Sequence, residues 1–135
     1  MAIRYLLDTN IASFAIKDSM SDLRRRLRRF SLERSAISVI TEAELRCGLA
    51  LSPEATRLKL FVEEFLRRIE ILSWTSGAAF HYAHERASLE KAGQMMDDID
   101  MMIAAHALAE NAILVTNDAA FRRIKHLKIE DWTRP

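Results

Sequence analysis

Residues 3–10, Ile-Arg-Tyr-Leu-Leu-Asp-Thr-Asn, join a short, mostly apolar run to three polar residues. A short, mostly apolar run that ends in capping residues is typical of a buried strand followed by a helix. We therefore predict a strand over residues 3–7 and a helix over residues 11–17. This arrangement places Asp8 at the carboxyl end of the strand.

The same alternation of strand and helix continues along the chain. Strands are predicted over residues 35–40, 70–73, 112–116 and 127–129, and helices over 20–30, from Glu42, from Pro53, over 77–91 and over 97–110. Thr41 and Glu44 have the spacing of a capping box, which favours the start at Glu42. Short apolar strands alternating with helices predict the α/β class, with a parallel sheet covered on both faces. No linker or repeat divides the chain, so residues 1–135 are predicted to form a single domain.

Charge is unevenly distributed although the formal net charge is only +1. Residues 1–34 carry eight basic and four acidic side chains, residues 35–121 seven and thirteen, and residues 122–135 five and two. Basic ends around an acidic centre suit a polyanion held near divalent cations, although ordinary solvated faces are the commoner explanation of such a pattern. No segment has the length and apolarity of a membrane helix or the order of a secretory signal, so we expect a cytoplasmic protein without a membrane partner. Cys47, the single cysteine, is expected to be a small packing residue.

Several acids lie at or near the predicted junctions between a strand and the following helix. Asp8 and Asp118 follow strands directly, Glu44 lies one helical turn beyond a strand, and Asp100 lies in the first turn of a helix. The carboxyl ends of parallel strands meet at one edge of a sheet, so these carboxylates are expected to cluster. Clustered carboxylates repel each other unless a cation compensates, and oxygen ligands favour Mg²⁺ or Mn²⁺ over zinc. Such a site is suited to phosphodiester hydrolysis, with one or two ions.

Each acid also has a structural interpretation. Asp8 is placed to cap the first helix, Glu44 to complete the capping box with Thr41, and Asp118 to cap a turn. The acids within residues 97–100 complement a helix dipole. Position alone therefore leaves both interpretations open for every one of these side chains.

Five segments in order resemble PIN-domain nucleases, specifically the VapC-like toxins of bacterial toxin–antitoxin pairs. They are Tyr5-Leu6-Leu7-Asp8-Thr9-Asn10, the segment 37–48 (Ile-Ser-Val-Ile-Thr-Glu-Ala-Glu-Leu-Arg-Cys-Gly), the segment 100–108 (Asp-Met-Met-Ile-Ala-Ala-His-Ala-Leu), Leu114-Val115-Thr116-Asn117-Asp118 and Ile129-Glu130-Asp131-Trp132. The resemblance spans nearly the whole chain.

The resemblance implies a three-layer α/β/α PIN-like fold with a central parallel sheet. It also implies a Mg²⁺-dependent endoribonuclease, with Mn²⁺ as a substitute ion, that acts as the toxin of a toxin–antitoxin pair. An RNA substrate, with transfer RNA as the family's example, a cognate antitoxin protein and a homodimer are the implied partners.

Site residues carry over by position from the matching segments. Asp8 and Asp100 correspond to the principal metal ligands, and Glu44 completes the site. Asp118 corresponds to a fourth catalytic acid, whose register varies within the family. Asp97 departs from the usual pattern, which leaves open whether it adds a ligand. Because ligating carboxylates need fixed orientation, Asn10, Thr116 and Asn117 are expected to hydrogen-bond around the site.

Two functions of other classes remain open at this point: a catalytically silent PIN-like module that binds RNA or protein, and a DNA-directed metal-dependent nuclease. The arginines of residues 24–29 either line RNA phosphates or form a solvated helix face. His106 lies nearly opposite Asp100 on its helix, so it is expected to pack or hydrogen-bond in the interior.

Overall fold

The computed structural model describes residues 3–17, Arg25 and residues 32–134. Its strands are β1 (Tyr5–Leu7), β2 (Ser35–Ser38), β3 (Glu70–Leu72), β4 (Ile113–Val115) and β5 (Ile129–Glu130). Its helices are α1 (Thr9–Lys17), α2 (Val39–Leu51), α3 (Thr56–Arg68), α4 (Ser76–Lys91) and α5 (Asp98–Ala109), and short 3₁₀ segments cover Leu32–Arg34 and Ala119–Arg123. The helix predicted over residues 20–30, with its arginine run, lies outside the described residues apart from Arg25.

The strands form one parallel sheet in the order β3-β2-β1-β4-β5. From the central strand β1, the chain proceeds to β2 on one side and returns later to β4 on the other. A crevice for ligands forms outside the carboxyl ends of parallel strands where the strand order reverses in this way. The carboxyl end of β1 lies at that point, and it is followed at once by Asp8.

Alternating side chains of β1 face opposite layers, which explains the arrangement of the core. Leu6 packs into a cluster with residues of α4 and α5, including Leu89 and Ala104. Tyr5 and Leu7 pack into a second cluster with residues of α1 and α3. Helices therefore cover both faces, and the predicted three-layer α/β/α fold with a central parallel sheet is confirmed.

Small residues allow α5 to approach the sheet closely. Ile103, Ala104, Ala105 and Ala107 are all buried, as the alanine-rich sequence predicts. Asn111, with φ of 52°, follows this helix in the left-handed region that asparagine tolerates. Gly93, with φ of +67°, takes the equivalent position after α4, so both predicted helix ends are confirmed.

The predicted start of α2 is wrong. The helix begins at Val39, and Ser38 is its N-cap, whose Oγ accepts a hydrogen bond of 3.0 Å from the backbone N–H of Ile40. Strand pairing extends only to Ser38, opposite Leu72, so a good capping residue is available three positions before Thr41. Thr41 and Glu44 consequently form no capping box and lie inside the helix.

Two smaller expectations also need correction. Helix α3 begins at Thr56, because Pro53 and Glu54 form a turn ahead of it. Cys47 is exposed, so it is not a packing residue. Within the described ranges, no helix has the length and apolarity needed to cross a membrane.

Candidate active site

Asp8 is a buried carboxylate at the carboxyl end of β1, with 3% of its surface exposed. Its Oδ1 accepts a hydrogen bond of 2.8 Å from the backbone N–H of Ile11, so Asp8 does cap α1. Its Oδ2 accepts a hydrogen bond from the hydroxyl of Thr116 on the neighbouring β4 side of the sheet. One carboxylate oxygen of Asp8 thus caps α1, and the other is held by Thr116.

Thr116 joins Asp8 to Asp118. While its hydroxyl donates to Asp8, its Oγ1 accepts a 3.1 Å hydrogen bond from the backbone N–H of Asp118. Asp118 in turn caps the 3₁₀ segment that follows, because its Oδ1 accepts a 2.9 Å bond from the N–H of Ala120. Thr116 is therefore one of the hydrogen-bonding residues that the sequence predicts. Asn10 and Asn117 are exposed, and neither bonds these acids within the described part of the chain.

Glu44 reaches the same region from α2. Its Oε1 accepts a short hydrogen bond of 2.5 Å from the hydroxyl of Thr9, the residue after Asp8. The Thr9 hydroxyl also lies 3.1 Å from that of Thr41, one turn before Glu44 on the same helix. Sequence reasoning did not assign these two threonines to the site, although Thr9 lies within the quoted Asp-Thr-Asn motif.

Asp100 is half-buried in the first turn of α5, and its environment raises its pKa to about 6. Burial is the largest cause, and repulsion adds to it from Asp97, Asp118, Asp8 and Glu44, in that order. Asp97 is also the N-cap of α5, where its carboxylate accepts bonds of 3.2 and 3.4 Å from the N–H groups of Ile99 and Asp100. The carboxylates from four separate segments thus lie close enough to repel one another.

Burial likewise raises the pKa of Asp8. The hydrogen bonds from Thr116 and Ile11 lower it, and repulsion from Asp118 and Glu44 raises it again. No lysine or arginine of the described residues forms an ion pair with Asp8, Glu44, Asp100 or Asp118. The cluster therefore lacks a compensating cation among the side chains that the structure describes.

This donor set fits a hard divalent cation. The charged groups of the cluster are all carboxylates, whose oxygens Mg²⁺ prefers as ligands. Zinc sites, in contrast, usually include histidine or cysteine. Across residues 3–17 and 32–134, no three acidic, histidine or cysteine side chains converge tightly enough to ligate one ion together. That geometry is compatible with Mg²⁺, which keeps several waters and binds through one or two carboxylates.

His106 lies in the interior, as its helical position predicts. It is fully buried, and its Nδ1 is 2.7 Å from the Oγ of Ser38, the N-cap of α2. Its ring and that of Trp74 form a T-shaped pair with 5.7 Å between the ring centroids. His106 thus links α5, which carries Asp100, to the start of α2, which carries Glu44.

A groove leads away from the acids between α1, α2 and α3. It has a volume of about 210 Å³, with Thr9 and Glu44 at one end and apolar walls that include Leu45, Leu49 and Leu58. The groove therefore connects an apolar surface directly to the carboxylate cluster.

Comparisons with known proteins agree with this architecture. The model of the PIN domain family matches residues 5–127. Ribonuclease VapC2 of Rickettsia felis is 36% identical over 132 residues, which cover 96% of this chain and 98% of that protein. The tRNA(fMet)-specific endonuclease VapC of Salmonella typhimurium is 37% identical over 131 residues, with coverage of 96% and 98%.

Solved structures give the same result. The DNA-bound VapBC complex of Salmonella typhimurium contains a chain that matches with a TM-score of 0.90 and 37% identity, over 96% of this chain and 98% of that one. VapBC2 of Rickettsia felis, bound to a DNA fragment from its promoter, matches with a TM-score of 0.86 and 35% identity, over 95% and 98%. Because the family match, the full-length relatives and the fold all agree, this chain belongs to the PIN-domain family, in its VapC group.

Proposed function

We propose that this chain is a Mg²⁺-dependent endoribonuclease and the toxin of a toxin–antitoxin pair. The observation that carries the proposal is the cluster of Asp8, Glu44, Asp100 and Asp118 at one edge of the sheet, without a described basic partner. Relatives named as ribonucleases and as a tRNA(fMet)-specific endonuclease support the RNA substrate and make transfer RNA the first candidate.

Asp8 and Asp100 are the proposed direct ligands of Mg²⁺, and Glu44 is proposed to complete the site through a water molecule. When bound there, the ion would supply a more nucleophilic water and would stabilise the charge that develops on the phosphate. Mn²⁺, with similar oxygen preferences, is expected to substitute.

The chain's own contribution is to orient these carboxylates. Thr116 and the N–H of Ile11 fix both oxygens of Asp8, and Thr9 fixes Glu44. Asp118 is held by the N–H of Ala120 at the border of the cluster, where we assign it as the fourth catalytic acid. Pre-oriented ligands lower the cost of assembling the reactive geometry.

The proposed inhibitor is a cognate antitoxin protein. Solved complexes of relatives contain such a partner, and the groove between α1, α2 and α3 offers an apolar surface that ends at Thr9 and Glu44. A segment bound there would block access to the acids. We further propose that the toxin acts in the cytoplasm and that it forms a homodimer. Light scattering on the purified chain tests the homodimer directly.

The decisive experiment is cleavage of purified transfer RNA, with Mg²⁺ and with EDTA, by the wild type and by Asp8→Asn and Asp100→Asn. Asp98→Asn is the matched control, because Asp98 lies in the same helical turn as Asp100 but is exposed and paired with Arg86 at 2.8 Å. We expect Mg²⁺-dependent fragments from the wild type and the control, and a loss of at least about 100-fold in the two site variants.

Cleavage that survives both site substitutions contradicts the proposal. RNA binding without cleavage under any divalent ion instead identifies a silent binding module. Preference for a DNA strand of the same sequence identifies a DNA-directed nuclease.

A further inference from the structure

A second cavity adjoins the acid cluster at the carboxyl ends of β4 and β5. Its volume is about 210 Å³. Thr116 and Asp118 form one wall, Arg122 projects from the 3₁₀ segment, and Asp131 and Arg134 follow β5. Because Thr116 and Asp118 belong to both places, the cavity is continuous with the acid cluster.

The two arginines of this cavity differ in their surroundings. Arg134 lies 3.4 Å from Asp131, whose Oδ1 also accepts a 2.9 Å bond from the N–H of Thr133. Arg122 is exposed and has no carboxylate partner within the described ranges, whereas Arg46, Arg67, Arg68 and Arg86 all form ion pairs. The cavity therefore places an uncompensated cation beside a cluster of acids.

We infer that this cavity is a subsite for the RNA backbone, in which Arg122 binds the phosphate next to the one that is cleaved. The inference rests on the proposed ribonuclease function and extends it to a second phosphate. A nucleic acid carries a charge at every nucleotide, so the neighbouring phosphate must also lie near the acids and needs a counter-charge. A planar guanidinium group supplies that charge and donates two parallel hydrogen bonds to two oxygens of one phosphate.

Other groups of the cavity complete the recognition of a nucleotide. The Thr116 hydroxyl is already committed to Asp8, whereas the exposed amide of Asn117 on the same wall is available to a sugar or base. Arg134 also lines the cavity and adds a second positive charge, partly compensated by Asp131. The subsite is thus matched to a phosphate and its attached nucleoside.

The test measures binding in the Asp100→Asn background, at fixed Mg²⁺ and increasing NaCl, with a fluorescently labelled single-stranded RNA 12-mer of mixed sequence. Each phosphate contact in a single strand contributes about 0.7 to the slope of log affinity against log salt. We expect Arg122→Gln to reduce that slope by about 0.7 and to weaken binding roughly five- to tenfold at low salt. Arg122→Lys is expected to keep the slope but lose part of the affinity.

Lys125→Gln is the matched control, since Lys125 is an exposed basic residue three positions away that does not line the cavity. Equal effects of the Arg122 and Lys125 substitutions, or no effect of Arg122→Gln, overturn the subsite.

Cleavage of transfer RNA by the otherwise wild-type chain separates the two proposals. Mg²⁺-dependent cleavage with an unchanged KM in Arg122→Gln removes the subsite and leaves the nuclease intact. An Arg122-dependent salt slope without any cleavage supports the phosphate site and removes the nuclease.

Discussion

The hydroxyl of Thr116 donates a hydrogen bond to Oδ2 of Asp8, across 108 positions of sequence. The contact exists because β1 and β4 are paired in parallel, with Leu7 opposite Val115, so the residues after both strands lie side by side. It lowers the pKa of Asp8 against the burial that raises it. Thr116 thereby helps to keep Asp8 in the carboxylate form that a metal ion requires.

Thr116→Val keeps the shape of the side chain and removes its hydroxyl. We expect the pKa of Asp8 to rise further and RNA cleavage to fall about 10- to 100-fold, with a weaker apparent affinity for Mg²⁺, as for other partners of ligating groups. Cleavage rates over a Mg²⁺ titration measure both effects. Thr75→Val is the control, since Thr75 only caps α4 through the N–H of Ala78. Equal activity losses in the two variants would show that the effect comes from stability alone.

Asp100→Asn is expected to stabilise the metal-free protein near neutral pH. The pKa of Asp100 is raised from 3.8 to about 6, so folding favours its protonated form, and stability through this group falls as pH rises from about 4 to 6. Allowing for solvent screening of a half-buried group, the gain from the substitution is roughly 1 kcal/mol at pH 7.

Urea unfolding in EDTA between pH 4 and pH 7 measures this gain, with Asp98→Asn as the control. Added Mg²⁺ is expected to stabilise the wild type more than Asp100→Asn. A steeper loss of stability with pH in Asp100→Asn than in the wild type would contradict this account of the cluster.

His106→Leu is expected to reduce the loss of stability that occurs as pH falls. Burial lowers the pKa of His106 below its ordinary 6.5, despite the nearby Glu110, so the folded protein holds the neutral ring. A depressed histidine pKa makes stability full above about pH 6.5 and decreasing below it, because the unfolded chain then binds the extra proton. Thermal unfolding from pH 8 to pH 5 should therefore show a smaller decline in His106→Leu. An unchanged decline would show that groups other than His106 cause the loss of stability at low pH.

Two glycine substitutions should have opposite signs. Gly48 lies inside α2, and a Cβ there meets no atom within 4 Å, so Gly48→Ala is expected to raise the free energy of unfolding by about 0.5–1 kcal/mol. Gly93 has φ of +67°, and Gly93→Ala is expected to lower it by about 1 kcal/mol. Denaturant unfolding of both variants tests the helix bounds. Destabilisation by Gly48→Ala would mean that a neighbouring atom occupies the space beside α2 that a Cβ at this position requires.

Local patterns predicted the elements well but misjudged one boundary that matters for the site. The sequence around Thr41 and Glu44 has the spacing of a capping box, yet Ser38 caps the helix instead. Several residues here are good caps, and propensity alone does not choose among them. Pairing of β2 with β3 ends the strand at Ser38 and decides the choice. Glu44 therefore does not cap the helix, and its side chain accepts a hydrogen bond from the hydroxyl of Thr9.

Local patterns were enough to predict the order of strands and helices, the α/β class and the placement of Asp8 and Asp118 at strand ends, because periodicity and capping are local properties of the chain. The contacts between distant residues emerged with the folded chain: Thr116 with Asp8, Thr9 with Glu44, and the position of Arg122 at the cavity beside Asp118. Those contacts depend on strand order and on the depth of packing, which arise from long-range burial. The position of these acids at strand ends was therefore predictable from the sequence, whereas their orientation followed from the fold.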